Sequence, residues 1–229
     1  VTSYGPDLPG SPTFAQMIRR LLAAVPELPR LRLSSIDVAE IDDELFQMLA
    51  TEKRIMPHLH ISLQAGDDMI LKRMKRRHTR QQVIDFCNRI RALRPEMSFG
   101  ADIIAGFPTE ADEMFENSRR LISEAQLQYL HIFPYSSREG TPAARMPQIK
   151  KDIRKARAAI LRNEGEQELH KFYTRHIGST VEVLVENDNK GHSENFIPVK
   201  IEGNFTPGQL IKAKLIAIDG DHMIAIPNE

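Results

Sequence analysis

The sequence predicts an α/β protein: a partial parallel β/α barrel, followed by a small all-β barrel of the OB-like kind. Three observations carry that expectation. Strand-like apolar runs start near residues 31, 58, 98 and 129, and each is followed by a stretch of helical periodicity. The downstream end of each run carries polar residues or glycine, as strands do at the active-site face of a β/α barrel. Past residue 178 helical periodicity gives way to short β-rich runs divided by Asn, Asp and Gly turns. Four β/α units spanning about 135 residues cannot close an eight-stranded barrel, which takes roughly 250, so a partial barrel is expected. The organisation predicted is a partial barrel over 1–146, a linking helical segment over 147–177 and a β-barrel over 178–229.

The elements follow in order. Thr13 and Gln16 form a capping-box pair with Pro12 beside it, and Phe14, Ile18, Leu22 and Val25 continue as an apolar stripe. Residues 31–36 read as a short strand ended by Asp37, and Ile41, Leu45, Met48 and Leu49 as the next helix. Residues 58–63 alternate like a strand and run into Gln64-Ala-Gly66; a helix follows from about Asp67. Thr79 and Gln82 make a second capping box ahead of Val83, Phe86, Cys87, Ile90 and Leu93. Residues 98–104 form a strand, Gly106-Phe-Pro-Thr109 turns into a helix carrying Phe115, Leu121 and Ile122, and residues 129–133 form the last strand of the series. Beyond Pro147 comes a long basic helix with a break expected near Gly165. Short strands are then expected at 181–185, 196–201, 209–218 and 223–226, with residues 187–191 read as a turn.

The chain has 229 residues, with 31 basic and 31 acidic side chains. No apolar run approaches the ~18 residues of a membrane span. The opening residues Val1 to Gly5 carry neither an initiator Met nor a secretion signal, so a cytoplasmic protein, part of something longer, is expected. One cysteine excludes an intramolecular disulfide and any multi-cysteine metal site within the chain. Zero net charge conceals segregation: residues 72–94 hold nine basic side chains against Asp85 alone, whereas residues from 179 onward hold four lysines against eight acids. Such a basic run attracts polyanions, or else is a solvated helix face.

Several side chains are candidates for chemistry. Ser62 and Gln64 end one strand with a hydroxyl and an amide, groups suited to a ribose or amino-acid moiety. Asp102 lies on a strand as a hydrogen-bonded carboxylate. Ser35 and Asp37 are read either as site-lining groups or as N-caps of the next helix. Cys87, mid-helix among apolar residues, reads as a small buried hydrophobe. His58, His60, His78 and His131 have no metal-binding spacing, so no histidine metal site is expected. Lys72, Arg73, Lys75, Arg76, Arg77 and Arg80, with Arg138, are candidates for RNA phosphates. On the C-terminal barrel Lys200, Lys212 and Lys214 are further candidates, and Phe196 is read either as a base-stacking ring or as core.

Six stretches together carry a resemblance. They are Arg32-Leu-Ser-Ser-Ile-Asp37, His58 to Asp68, Leu71-Lys-Arg-Met-Lys-Arg-Arg-His-Thr79, Ala101-Asp-Ile-Ile-Ala-Gly-Phe-Pro108, Phe133 to Ala143, and Glu194-Asn-Phe-Ile-Pro-Val-Lys200. In this order they resemble the methylthiotransferase family of radical S-adenosylmethionine enzymes, and the last resembles the TRAM domain, a small RNA-binding barrel. The wording at 32–37 and 74–78 is most similar to the branch acting on threonylcarbamoyladenosine in tRNA; the isopentenyladenosine branch is the alternative. The resemblance implies S-adenosylmethionine as cofactor, bound by Ser35, Asp37, Ser62, Gln64, Asp102, Ile104, Gly106, Pro134 and Tyr135. It places Ile104 and Gly106 near the adenine, with backbone bonds to that base from residues 133–135. It also implies 4Fe–4S clusters, whose cysteine ligands would lie outside this chain, so that the chain alone would be inactive. The implied partners are a tRNA anticodon stem-loop, an electron donor and a sulfur source, with no membrane. Two other classes stay open: a non-catalytic RNA-binding module, and a β/α-barrel lyase, disfavoured because no lysine sits at a strand end.

Overall fold

The computed structural model describes residues 2–228. The helix α1 (Phe14–Ala24) is followed by β1 (Leu31–Ile36), α2 (Asp43–Thr51), β2 (Ile55–Gln64), α3 (Asp68–Arg73), α4 (Arg80–Leu93), β3 (Ser98–Ala105), α5 (Asp112–Glu124) and β4 (Tyr129–Pro134). Both capping boxes form as expected, at Thr13/Gln16 and Thr79/Gln82, and Asp67 caps α3 through the amides of Met69 and Ile70. The four strands pair in sequence order, all parallel.

One face of this sheet is dry. Leu59, Ile61 and Leu63 of β2, with Phe99, Ala101, Ile103 and Ala105 of β3, are fully buried and belong to one core with helix residues such as Ile18, Leu49, Ile90 and Leu121. The residues between them point the other way: His58, His60, Ser62 and Gln64 on β2, and Gly100, Asp102 and Ile104 on β3. A parallel sheet normally buries both faces in near-continuous apolar runs. The polar alternation here marks the second face as the wall of a barrel lumen.

A single helix, α6 (Lys151–His176), packs across β4 and α5. It is continuous, which corrects the break expected at Gly165. The glycine is there for packing: a Cβ at that position would lie 2.9 Å from Leu130 Cδ1 of β4. Close approach to the sheet outweighs the helix-propensity cost of about 1 kcal/mol.

The remaining strands, β5 (Thr180–Asn187), β6 (Lys190–His192), β7 (Pro198–Ile201), β8 (Leu210–Asp219) and β9 (His222–Pro227), close into a barrel in the order β5-β6-β7-β9-β8. Its core alternates inward from each strand, and Phe172 and Tyr173 of α6 join it. Strand β6 lies where only a turn is expected from the sequence. Asp188 and Asn189 both take positive φ (44° and 59°), making a two-residue hairpin that returns the chain immediately.

This small barrel is fixed to the N-terminal ends of β1–β4. Arg32 donates to the carbonyls of Ser193 (2.6 Å) and Glu194 (3.0 Å), Arg30 donates to Glu182 O (2.7 Å), and Ser98 Oγ donates to Asn195 O (2.7 Å). Phe196, at φ 71°, enters the lower lumen, where the imidazoles of His58 and His192 stack on it at 4.4 and 4.5 Å and Tyr129 meets it edge-on. Both faces of its ring are thus covered by imidazoles, in a residue that is half-buried.

Burial, reinforced by Arg32, His60 and His192, pushes His58 down to about 3. Between pH 6.5 and 3 the unfolded chain therefore carries a proton at this histidine that the folded chain refuses, so acid lowers stability. We expect unfolding free energy to fall by up to about 1.4 kcal/mol per pH unit from this residue across that window. Urea unfolding of His58→Leu should lose that part of the slope; an unchanged slope would refute the assignment.

Candidate functional site

The C-terminal ends of β2, β3 and β4 frame an open cavity of about 520 Å³. Gln64, Asp102 and Ile104 form its wall; Phe133, Pro134 and Tyr135 continue it, and Ser136, Arg138 and Thr141 line it from the following loop. Its size lies within the ~300–1,000 Å³ of small-molecule sites, and its mix of apolar surface with a few polar groups is typical of them. The small barrel occupies the opposite end of the strands, so the cavity is reached from the strand ends.

Backbone strain gathers here. Ser35, Gln64 and Thr109 take positive φ (56°, 73° and 69°) near the ends of β1, β2 and β3, and Gly106 does the same at 72°. Non-glycine residues in this region cost about 1–3 kcal/mol each, and such conformations cluster at functional sites. At Gln64 the strain accompanies a register shift between β2 and β3, after Ile61. Gly106 has a second constraint, because a Cβ there would meet Arg154 Cγ at 2.5 Å.

The turn after β3 is held from below. Glu110 accepts from the Gly106 amide (2.9 Å) and from Arg157 (2.8 Å), while Arg157 also reaches Asp112 (2.6 Å). Burial pushes the Glu110 carboxyl upward, against the pull of Arg157 and the Gly106 amide. Sequence reasoning left this glutamate without a role; its partner lies 47 residues away on α6, where no spacing rule reaches.

Of the expected cofactor residues, Gln64, Asp102, Ile104, Pro134 and Tyr135 converge on the one cavity. Gly106 shapes the adjoining turn, and Ser62 lies on the same face of β2. Ser35 is exposed at the end of β1. Asp37 is elsewhere engaged: its carboxylate accepts from the Ala39 amide, Arg76 (3.1 Å) and His78 Nδ1 (3.2 Å), so the cap reading is the one realised. Tyr135 offers less backbone than expected. Its amide donates to Ala105 O (2.8 Å) and its carbonyl accepts from Arg154 (2.6 Å). Its ring packs edge-on against Phe107, and its phenol Oη is buried with no partner among the described residues.

Four arginines of the basic run also make bonds within the fold. Arg73 donates to Thr109 O, Arg76 to Asp37 and Ser62 O, Arg77 to Glu40, and Arg80 to Glu124. These bonds strap the loop between α3 and α4 across the strand ends. Lys72, Lys75 and Arg77 remain exposed. On the small barrel Lys200 pairs across strands with Lys190, and Lys214 faces Ile226 and Thr180, all on its outer surface; Lys212 is also exposed, opposite Glu182.

An iron–sulfur cluster does not fit the residues of this chain. Cys87 is fully buried in the helix core, and burial pushes its thiol up to about 12, so it offers no thiolate. No described helix is long and apolar enough to cross a membrane.

Fold and site together define a parallel β/α half-barrel whose ligand cavity lies at the strand ends. The family model of the radical SAM superfamily matches residues 3–122, and the chain belongs to that superfamily. It is 67% identical, over 97% of its own length and 53% of the relative's, to the threonylcarbamoyladenosine tRNA methylthiotransferase MtaB of Rickettsia prowazekii. It is 34% identical to the tRNA-2-methylthio-N(6)-dimethylallyladenosine synthase of Shouchella clausii, over 96% of the chain and 45% of that protein. The chain thus spans about half the length of the curated relatives it matches. Among solved structures, coproporphyrinogen III oxidase of Escherichia coli shares the fold, with a TM-score of 0.51 at 15% identity over 91% of this chain and 52% of that one.

Replacing Glu110 with Ala should remove the buried partner of Arg157, leaving it only the exposed Asp112 carboxylate and the residue-110 carbonyl, and release the Gly106 turn. The expected cost is about 1–3 kcal/mol in urea unfolding, with faster hydrogen–deuterium exchange at the Gly106 amide. Exchange at wild-type rate would show that the glutamate does not hold the turn.

Proposed function

We propose that this chain supplies the S-adenosylmethionine cavity and an RNA-contacting barrel to an enzyme that methylthiolates threonylcarbamoyladenosine in tRNA. The observation that carries the reading is convergence: Gln64, Asp102, Ile104, Pro134 and Tyr135, distant in sequence, line one cavity of suitable size. Choice of branch rests on 67% identity to the threonylcarbamoyladenosine enzyme of Rickettsia prowazekii against 34–38% to dimethylallyladenosine synthases.

In this reading Ile104 and Phe133 give the adenine an apolar wall, Gln64 bonds the ribose or the amino-acid end, and Tyr135 lines the cavity beside them. S-adenosylmethionine supplies the radical and methyl chemistry when bound, while the chain's own residues position it and exclude water. The iron–sulfur ligands belong outside this chain. The small barrel is read as TRAM-like: Lys190, Lys200 and Lys214 surround Ile224 and Ile226 on its outer face, an arrangement suited to phosphates and bases of an anticodon stem-loop.

Two measurements test this. Deleting the gene should abolish the 2-methylthio group on threonylcarbamoyladenosine in nucleoside digests of cellular tRNA, and leave that on isopentenyladenosine intact. Loss from isopentenyladenosine instead, or no change, would contradict the assignment. In the intact enzyme Gln64→Ala should weaken S-adenosylmethionine binding by about tenfold, the value of one well-placed hydrogen bond; equal affinity would remove Gln64 from the cofactor.

A further inference from the structure

Three side chains that sequence spacing keeps apart meet on the lumen face of the sheet. Asp102 of β3 and His131 of β4 are paired residues in the parallel register, and His60 of β2 pairs with Gly100, two residues before Asp102. All three therefore point to the same side. His60 Nε2 lies 3.0 Å from Asp102 Oδ1, and His131 Nδ1 lies 3.1 Å from the same oxygen. All three ligand atoms fall within 4.8 Å of one another.

We propose that His60, Asp102 and His131 bind a divalent first-row transition ion of the Zn²⁺ or Fe²⁺ class. Two ligand atoms each ~2.1 Å from an ion stand about 3.4 Å apart at the tetrahedral angle usual for Zn²⁺, and about 3 Å apart at the right angles of a six-coordinate shell. The two observed nitrogen–oxygen separations, hydrogen bonds in the metal-free chain, equal the six-coordinate edge and widen by about 0.4 Å to reach the tetrahedral one. The donor set selects the ion: two imidazole nitrogens and one carboxylate oxygen suit Zn²⁺ and Fe²⁺, whereas Mg²⁺ and Ca²⁺ take all-oxygen shells and Cu⁺ takes thiolates or thioethers. Three protein ligands on one side leave positions open on the other, the pattern of a reactive rather than a purely structural site. Asp102 also lines the strand-end cavity, so the open positions face space that a small molecule can enter.

The scaffold is built for it. All three ligands sit on hydrogen-bonded strands, which hold side chains more firmly than loops do. Gly100 makes room for the His60 ring: a Cβ there would lie 2.7 Å from His60 Nδ1. Metal binding at Nε2 of His60 and Nδ1 of His131 requires the ring protons to reside on the opposite nitrogens. Asp102 then exchanges two N–H donors for one ion. The site does not depend on the cofactor reading, because it is tested with the metal alone.

The test is calorimetric titration of Zn²⁺ into the apo chain, repeated with Co²⁺, whose visible absorption reports ligand number and type. One ion per chain is expected. His131→Ala and Asp102→Asn should each weaken it at least about tenfold, since even outer-shell changes at metal sites cost 10–100-fold. The His131 side chain is 62% exposed, so its removal leaves the core untouched. His222→Ala, which removes a half-buried histidine beside Asp219 and Asp221 on the small barrel, should leave affinity unchanged. No saturable binding, binding indifferent to His131→Ala and Asp102→Asn, or binding lost with His222→Ala would each overturn the proposal. Failure here would leave S-adenosylmethionine binding at Gln64 and Tyr135 standing, and the converse also holds.

Discussion

One-sided burial of a parallel sheet organises this molecule. The helices cover one face of β1–β4 so completely that Leu59, Ile61, Leu63, Phe99, Ala101 and Ile103 show no exposed surface. At about 25 cal/mol per Å² of apolar area, that face is where most of the fold's stability resides. Because strand residues alternate, fixing it also fixes the other, and a one-residue slip would exchange lumen for core. The polar groups on the lumen face are thus held in register by burial they take no part in.

The two ends of that lumen are put to different uses. At the N-terminal ends, Phe196 and the Arg32 contacts seat the small barrel, and His58 gives up its charge to the packing. The strand C-terminal ends stay open, strained at Ser35, Gln64 and Thr109 and supported by the buried Glu110–Arg157 pair. A long helix joins the two by packing on β4 and sending Phe172 and Tyr173 into the small barrel.

Much of the architecture was legible because it is local. Capping boxes at Thr13 and Thr79, and alternation over 58–63 and 98–104, depend on neighbours within a few residues. The strand-end residues Gln64, Asp102, Ile104 and Tyr135 were legible through wording shared with a family, and the fold gathers them. What escaped was long-range. The continuity of α6 at Gly165 depends on Leu130, and the fate of Phe196 on His58. Arg73, Arg76, Arg77 and Arg80 read as a free basic face because their acceptors, including Asp37, Glu40 and Glu124, lie about 36 to 44 residues away. The His60–Asp102–His131 group was invisible for the same reason, since only the register of three parallel strands assembles it.

The central claim is that the strand-end cavity is the cofactor site of this chain. A crystal structure of the chain grown with S-adenosylmethionine tests it most directly. The account predicts the adenosine between Ile104 and Tyr135, with Gln64 bonded to it. Ligand seated instead in the crevice between the two barrels, beside Lys53, His176 and Asn195, would contradict it.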